Sequence, residues 1–296
     1  MKIHDILSPL TLPEGPIALT IGNFDGVHLG HQAVLKRLKA SAPHTVVYTF
    51  SNHPAEVLHD APIMRLTTLT HRLALLENIG IDHVILATFT PDFAQQSAQT
   101  FLSSLKKQIP FSHLILGHDA VIGHDRKRDL QALSLPLAFS LEYLPPITLN
   151  SQVVSSSAIR KHIQIGELAQ ASSLLGRPYS IAAVVQPGHG KGREIGFHTA
   201  NLPVEQLALP PFGVYAVQVK LHGQLLPAVA NLGRAPTIHT SRPPCLEVHL
   251  INDNRDLYGQ QLEVVFQKFI RPEKRFESLS ALQAQIHHDI HTALCG

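Results

Sequence analysis

Cysteine is scarce in this chain. Cys245 and Cys295 are the only two, and their spacing matches no metal or redox pattern and builds no disulfide framework. Such usage fits a reducing cytosol, so a cytoplasmic protein is expected. Long apolar runs are missing too. None approaches the ~18 residues that a membrane-spanning helix needs, so no membrane association is expected. The stretch from Met1 to Asn23 carries Asp5, Glu14 and several prolines. It lacks a charged start followed by an apolar core, so no signal peptide is expected. Charge is sparse as well: 16% of residues are charged and the formal net charge is +2. That balance excludes a nucleic-acid binder working through bulk electrostatics.

What is present suits two globular halves. The chain has 296 residues, 44% of them apolar, enough for two domains that each bury a core. Its 20 histidines are scattered, and a histidine standing alone reads as an ordinary polar group.

The first half alternates two periods. Ile17–Ile21, Thr45–Phe50, His83–Phe89 and His113–Leu116 read as buried strands. Between them, 29–40, Leu69–Ile79 and Ala98–Gln108 carry helical spacing. Alternation of this kind predicts βαβ units, a parallel sheet and a Rossmann-like α/β domain, with ligands beyond the carboxyl ends of the strands. After about residue 176 the period becomes two. Tyr215, Val217, Val219 and Leu221 alternate with polar or small residues, as do Leu246, Val248 and Leu250. Frequent glycine and proline breaks predict a small antiparallel β-barrel. Leu279, Leu282, Ile286, Ile290 and Ala293 then predict a terminal amphipathic helix. The boundary is expected at Gly176-Arg177-Pro178, giving domains 1–176 and 177–296.

Two constellations carry chemistry. The first is Gly22-Asn23-Phe24-Asp25-Gly26-Val27-His28-Leu29-Gly30-His31, between a strand and a helix. Glycines allow a tight turn and close approach to a phosphate. The helix amino terminus offers N–H groups to an anion. His28 and His31, three apart, share one side of the first turn and can donate to phosphate oxygens. A turn with two solvated histidines is the blander reading. The second is Gly188-His189-Gly190-Lys191-Gly192-Arg193-Glu194-Ile195-Gly196-Phe197-His198-Thr199-Ala200-Asn201. Its glycines and cations suit a loop around phosphates, although the Gly-Lys-Ser/Thr ending of a Walker loop is absent.

These residues resemble the bacterial bifunctional riboflavin kinase/FMN adenylyltransferase (FAD synthetase) family over nearly the whole chain. Gly22–His31 is similar to its nucleotidyltransferase signature. Thr49-Phe50-Ser51-Asn52-His53-Pro54, Leu66-Thr67-Thr68-Leu69 and Val154-Ser155-Ser156-Ser157-Ala158-Ile159-Arg160 resemble further motifs of that module. Gly196-Phe197-His198-Thr199-Ala200-Asn201 resembles the kinase signature. The stretches 213–216, 230–237, 246–250, 256–259 and 271–276 resemble the rest of the kinase module.

The resemblance implies two reactions. The carboxyl-terminal module would phosphorylate riboflavin with ATP to FMN. The amino-terminal module would join FMN and ATP to FAD, releasing pyrophosphate. It implies ATP contacts at Gly22, Phe24, Asp25, His28, His31, Ser156 and Arg160 in the first module. In the second it implies them at Gly188, Gly190, Lys191, Gly196, Thr199 and Asn201. Thr199 and Asn201 would hold Mg2+, whose hardness calls for oxygen ligands. Glu247 would be the general base for the riboflavin 5′-hydroxyl, with His28 and His31 as the catalytic pair of the other site. By pattern alone Glu247 is an exposed strand glutamate. Flavin contacts are implied at His53, Asp119, Arg126 and Arg271. Partners would be small-molecule substrates, with no obligatory protein partner.

Four positions depart from the family pattern. Ala120 and Ile122 stand where aromatics are usual, which predicts a weaker flavin wall, by about 0.5–1.5 kcal/mol per lost pair. Arg128 replaces a glycine, and His198 replaces a proline that would fix the backbone before Thr199. Two rival readings follow: one live module only, or a non-catalytic flavin-binding regulator. A further alternative, from the first motif alone, is an adenylyltransferase for another phosphorylated precursor.

Overall fold

The apolar runs of the first half form strands buried on both faces, as a parallel sheet requires. In the computed structural model, which describes residues 1–5, 12–127, 129–187, 196–234, 243–253 and 255–295, the elements up to the first motif are β1 (Lys2–Asp5), β2 (Ile17–Ile21) and α1 (Leu29–Ser41). They continue as β3 (His44–Phe50), α2 (Pro54–His59), α3 (Leu69–Ile79), β4 (His83–Ala87), α4 (Pro91–Ala94), α5 (Ala98–Gln108), β5 (His113–Gly117), α6 (Gln131–Ser134) and β6 (Ser140–Leu144). The six strands pair in parallel in the order β1-β4-β3-β2-β5-β6. Alternate residues feed opposite faces. Ile17, Leu19, Val46, Tyr48 and Leu114 pack with Phe101, Leu102 and Leu105 of α5. Ala18, Val47, Val84 and Ile115 pack with Val34, Leu35 and Leu38 of α1 and Leu76 of α3. From β2 the chain proceeds outward to β3 and β4, then returns to β5 on the other side of β2. The ends of β2 and β5 therefore flank a topological switch point, where ligands of such sheets bind.

Two short strands, β7 (Thr148–Leu149) and β8 (Gln152–Val153), pair as a hairpin and lead to α7 (Ser156–Gln164) and α8 (Leu168–Leu175). Gly176 ends α8 in the left-handed conformation, at φ 70°. Next come β9 (Ser180–Val184), β10 (Ala200–Pro203), β11 (Gly213–Leu221), β12 (Gln224–Gly233), β13 (Cys245–Leu250), β14 (Gln261–Arg271) and α9 (Leu279–Cys295). The strands are antiparallel in the order β10-β13-β12-β11-β14-β9. An antiparallel bridge from Gln186, just beyond β9, to Asn201 on β10 brings the two edges together, so the sheet nearly closes into the expected barrel.

By packing, the chain falls into two units: Met1–Ile63 with Arg72–Ser156, and Met64–His71 with Ser157–Gly296. The short segment Met64–His71 belongs with the barrel unit through specific bonds. The Arg65 N–H donates to the Gln206 carbonyl, the Ala208 N–H to the Arg65 carbonyl, and the Thr68 hydroxyl to the Ala182 carbonyl at 2.9 Å.

The terminal helix departs from its sequence pattern. Leu279 is 66% exposed, and the buried residue of α9 is Asp289. Ile290 and Ala293 do pack, against Val214, Val229 and Ile251. A charged group is buried here because Arg271 on β14 reaches it.

Candidate active sites

The first site is built on the turn after β2. Gly22 donates its N–H to the Tyr48 carbonyl, and a Cβ there would stand 3.1 Å from the Phe24 ring. Phe24 (φ 53°) and Val27 (φ 42°) adopt left-handed backbone despite carrying side chains, and both are buried. Such strain, about 1–3 kcal/mol per residue, persists only where the surroundings over-determine it. The surroundings here are hydrogen bonds onto the turn's carbonyls. Ser156 donates its hydroxyl to the Asp25 carbonyl at 2.9 Å, and Gln32 its amide to the Val27 carbonyl at 2.9 Å. Asp25 is itself buried.

His28 caps α1: its Nδ1 accepts from the His31 N–H at 3.3 Å. The rings of His28 and His31 stack with centroids 3.6 Å apart and an interplanar angle of 16°. Gly30 makes room for this, because a Cβ there would lie 3.1 Å from the His28 ring. His31 Nδ1 is buried with no hydrogen-bond partner among the described residues. Burial first, then His28 and then Arg72, hold the His31 imidazole well below its ordinary pKa. It therefore stands neutral at pH 7, able to donate a single N–H. The two histidines thus meet as expected from their spacing, while Arg72 on α3 is a residue the sequence reading passed over. Its one signal was position: Arg72 sits three residues after Leu69 on the apolar stripe of α3.

The residues expected at the flavin are spread over separate loops. His53 caps α2 by accepting from the Ala55 N–H at 3.1 Å. Asp119 follows β5 with its side chain 79% exposed. Arg126 sits in a left-handed turn at φ 47°. Ile122 is no surface wall. It is buried in the core that also holds Phe50 and Phe101, with Ala120, Phe89 and Phe93 packed against it. The aromatic density of this region therefore comes from Phe50, Phe89, Phe93 and Phe101, whose rings meet largely edge-on at 5.2–5.5 Å. Arg128 lies outside the described residues. Arg160, on α7, donates to the Ser157 hydroxyl at 3.4 Å.

The second site lies on the barrel. Gly188, Gly190 and Lys191 fall outside the described residues; Gly196 is described, at φ 83°. Register puts three polar side chains in one row. Asn201 on β10 is directly opposite Glu247 on β13, which is directly opposite Asn231 on β12. Their neighbours Leu202, Leu246 and Leu232 are fully buried on the opposite face. Glu247 is exposed, as its place in the alternation predicted. Cys245, two residues before it, has its thiol pushed up to about 11 by burial and by the Glu247 carboxylate, so it is no nucleophile at neutral pH.

Thr199 and Asn201 line a cavity of about 250 Å³ together with His198, Asp253, Arg255, Asp256 and Tyr258. Asp253 and Arg255 pair at 2.6 Å. His249 Nδ1 donates to the His198 carbonyl at 2.9 Å, and Phe197 packs edge-on to that ring at 5.2 Å. These contacts brace the backbone before Thr199. Arg271, expected at the flavin, ends β14. It grips Asp289 and donates to the Pro272 carbonyl at 3.1 Å.

Two family models match the chain, one in each half. A family model described as FAD synthetase matches residues 13–158, and one described as riboflavin kinase matches 175–295. The bifunctional riboflavin kinase/FMN adenylyltransferase of Escherichia coli (strain K12) is 40% identical over 292 residues, covering 95% of this chain and 93% of that one. Its Bacillus subtilis counterpart is 32% identical over 287 residues, covering 93% and 91%. A Streptococcus pneumoniae structure described as a macrolide-efflux protein aligns over 99% of both chains, with a TM-score of 0.82 and 27% identity. With two family models spanning most of its length and a relative 40% identical over 95% of it, the chain belongs to the bifunctional riboflavin kinase/FMN adenylyltransferase family.

Proposed function

We propose that this chain carries out two successive reactions: it phosphorylates riboflavin to FMN with ATP, then adenylylates FMN to FAD with a second ATP, releasing pyrophosphate. The observation that carries the reading is that each family match spans a separate polar site: the stacked His28–His31 pair in one, the Asn201–Glu247–Asn231 row in the other.

In adenylyl transfer, an FMN phosphate oxygen attacks the α-phosphorus of ATP and the bond to pyrophosphate breaks. The turn from Gly22 to His28 receives the triphosphate, with His31 donating an N–H to a phosphate oxygen as charge grows. Held neutral, His31 acts as a donor rather than a counter-ion. Asp25, Phe24 and Ser156 shape the turn, and Arg160 adds a cation suited to phosphate. His53, Asp119 and Arg126 are assigned to the flavin.

In the kinase reaction, Glu247 accepts the proton of the riboflavin 5′-hydroxyl as its oxygen attacks the γ-phosphorus of ATP. ADP leaves. The two functional modules are proposed to be residues 1–176 and 177–296, with Gly176 also the residue that ends α8. Thr199 and Asn201 line one cavity and each carries a hard side-chain oxygen, a donor set that fits Mg2+. No group of three His, Cys, Asp or Glu side chains poised for a metal occurs among the described residues, so ATP oxygens and water would complete the shell. When bound, the ion offsets phosphate charge.

No helix among the described residues is long and apolar enough to cross a membrane, and small-molecule substrates in water suit both sites.

The test is chromatographic. The purified protein is incubated with magnesium and ATP, once with riboflavin and once with FMN, and the flavins are resolved over time. FMN followed by FAD from riboflavin is the expected result. FMN accumulating without FAD in both tubes would reduce the reading to the kinase alone. Bound flavin without product would favour a regulator.

A further inference from the structure

The turn that opens α1 is strained, and something outside it must hold it. Phe24 and Val27 both sit at positive φ, and Val27 is β-branched, for which that region is an outlier. The hydroxyl and amide contacts from Ser156 and Gln32 hold the Asp25 and Val27 carbonyls. The Asn23 carbonyl, at the head of the turn, is held differently. Arg72 lies 6% exposed beneath it. Its Nη1 donates to the Asn23 carbonyl at 2.6 Å and to the Asn23 Oδ1 at 2.9 Å. Its Nη2 donates to the Phe50 carbonyl. One planar fork thus ties the end of β2 to the end of β3. The Thr49 hydroxyl adds a weaker bond to the same Asn23 carbonyl, at 3.3 Å.

We propose that Arg72 is a positioning residue for adenylyl transfer: its guanidinium holds the Asn23–Val27 turn in the conformation that receives the triphosphate. Two physical arguments support the assignment. A charged donor bonded to a carbonyl makes a stronger tie than a neutral one, and a bidentate fork also fixes direction. In addition, carbonyl oxygens repel a triphosphate, and a cation bonded to them offsets that repulsion. A secondary consequence falls on His31. Among the described residues, the charged and titratable groups that act on it are His28 from its own turn and Arg72 from α3, with the Phe24 ring 5.1 Å away. Arg72 therefore also disfavours a second positive charge on His31.

The proposal rests on the reading of this site as the adenylyltransferase, and the test separates the two. Wild type, R72K and R72M are assayed for FAD formation from supplied FMN and, separately, for FMN formation from riboflavin. In R72M, kcat for FAD formation is expected to fall more than tenfold, with KM for FMN changing less than threefold. R72K, whose ammonium still reaches one carbonyl, is expected to recover at least threefold of that loss. Riboflavin phosphorylation should stay within twofold of wild type in both, which reports that each variant is folded. R72M turning over FMN within twofold of wild type overturns the proposal. So does R72K no better than R72M, because the loss then does not follow the donor. Parallel loss of both activities also overturns it and marks Arg72 as a residue of general folding. Wild type that makes FMN but no FAD overturns the reading of the site and the role of Arg72 with it.

Discussion

Arg271 and Asp289 form a bidentate ion pair that pins the carboxyl-terminal helix to the barrel. Arg271 Nε meets both carboxylate oxygens at 3.0 and 3.1 Å, and Nη2 meets Oδ2 at 2.7 Å. Gln285 adds its amide to Oδ1 at 2.8 Å. The carboxylate is 2% exposed. Breaking such a pair leaves a buried charge uncompensated, which costs about 3–5 kcal/mol. Asp289→Ala should therefore destabilise the barrel unit by that order in urea unfolding followed at the riboflavin kinase activity. A change within experimental error would show that α9 is held by Ile290 and Ala293 alone.

The stacked histidines should divide the two activities. His31→Ala removes the buried neutral donor beside the turn, and loss of one such donor costs roughly 100-fold or more in rate. His28→Ala removes the cap and the stacking partner together. Both variants should lose FAD formation from FMN and retain FMN formation from riboflavin. Equal loss of both activities in a folded variant would sink the two-site assignment.

Glu247→Gln tests the other site. The amide keeps the shape of the Asn201–Glu247–Asn231 row but accepts no proton. FMN formation should fall roughly 100-fold to 10,000-fold, the range typical of a lost general base. FAD should still appear when FMN is supplied. Normal kinase turnover would remove Glu247 from the base role.

Glu263 should make the barrel unit acid-sensitive. The His71 imidazole at 3.6 Å, the Ser180 hydroxyl at 2.8 Å and Lys220 at 3.7 Å face its carboxylate. These partners, His71 foremost, lower its pKa from 4.5 to about 2. A folded value below the unfolded one means stabilisation that is complete above pH 4.5 and lost as pH falls through about 2. Unfolding free energy should decline between those pH values in wild type, and decline less in Glu263→Gln. Identical slopes in the two proteins would exclude Glu263 as the source.

Much of this protein was legible one segment at a time. Ile17–Ile21, Leu69–Ile79 and Ala98–Gln108 form where their periodicity placed them, because strand and helix patterns are local. The short edge strand Lys2–Asp5 was not legible. Its polar residues have no alternation to announce them, and only pairing with β4 makes them a strand. The terminal helix shows the limit of pattern from the other side. Its apolar stripe forecast Leu279 inside, whereas the ion pair with Arg271 puts Asp289 there.

The sequence by itself determined the chemistry available: Gly22 to His31 and Gly196 to Asn201 are contiguous, so their glycines, histidines and hydroxyls stay together in any fold that forms the local turn. Tertiary structure alone decided what surrounds them. Asn201, Glu247 and Asn231 share a row only because antiparallel register aligns β10, β13 and β12. Arg72 reaches Asn23 and Phe50 only because α3 crosses back over the ends of β2 and β3. A backbone register or a crossover is settled by burying the whole core at once, and no short stretch of residues carries that information.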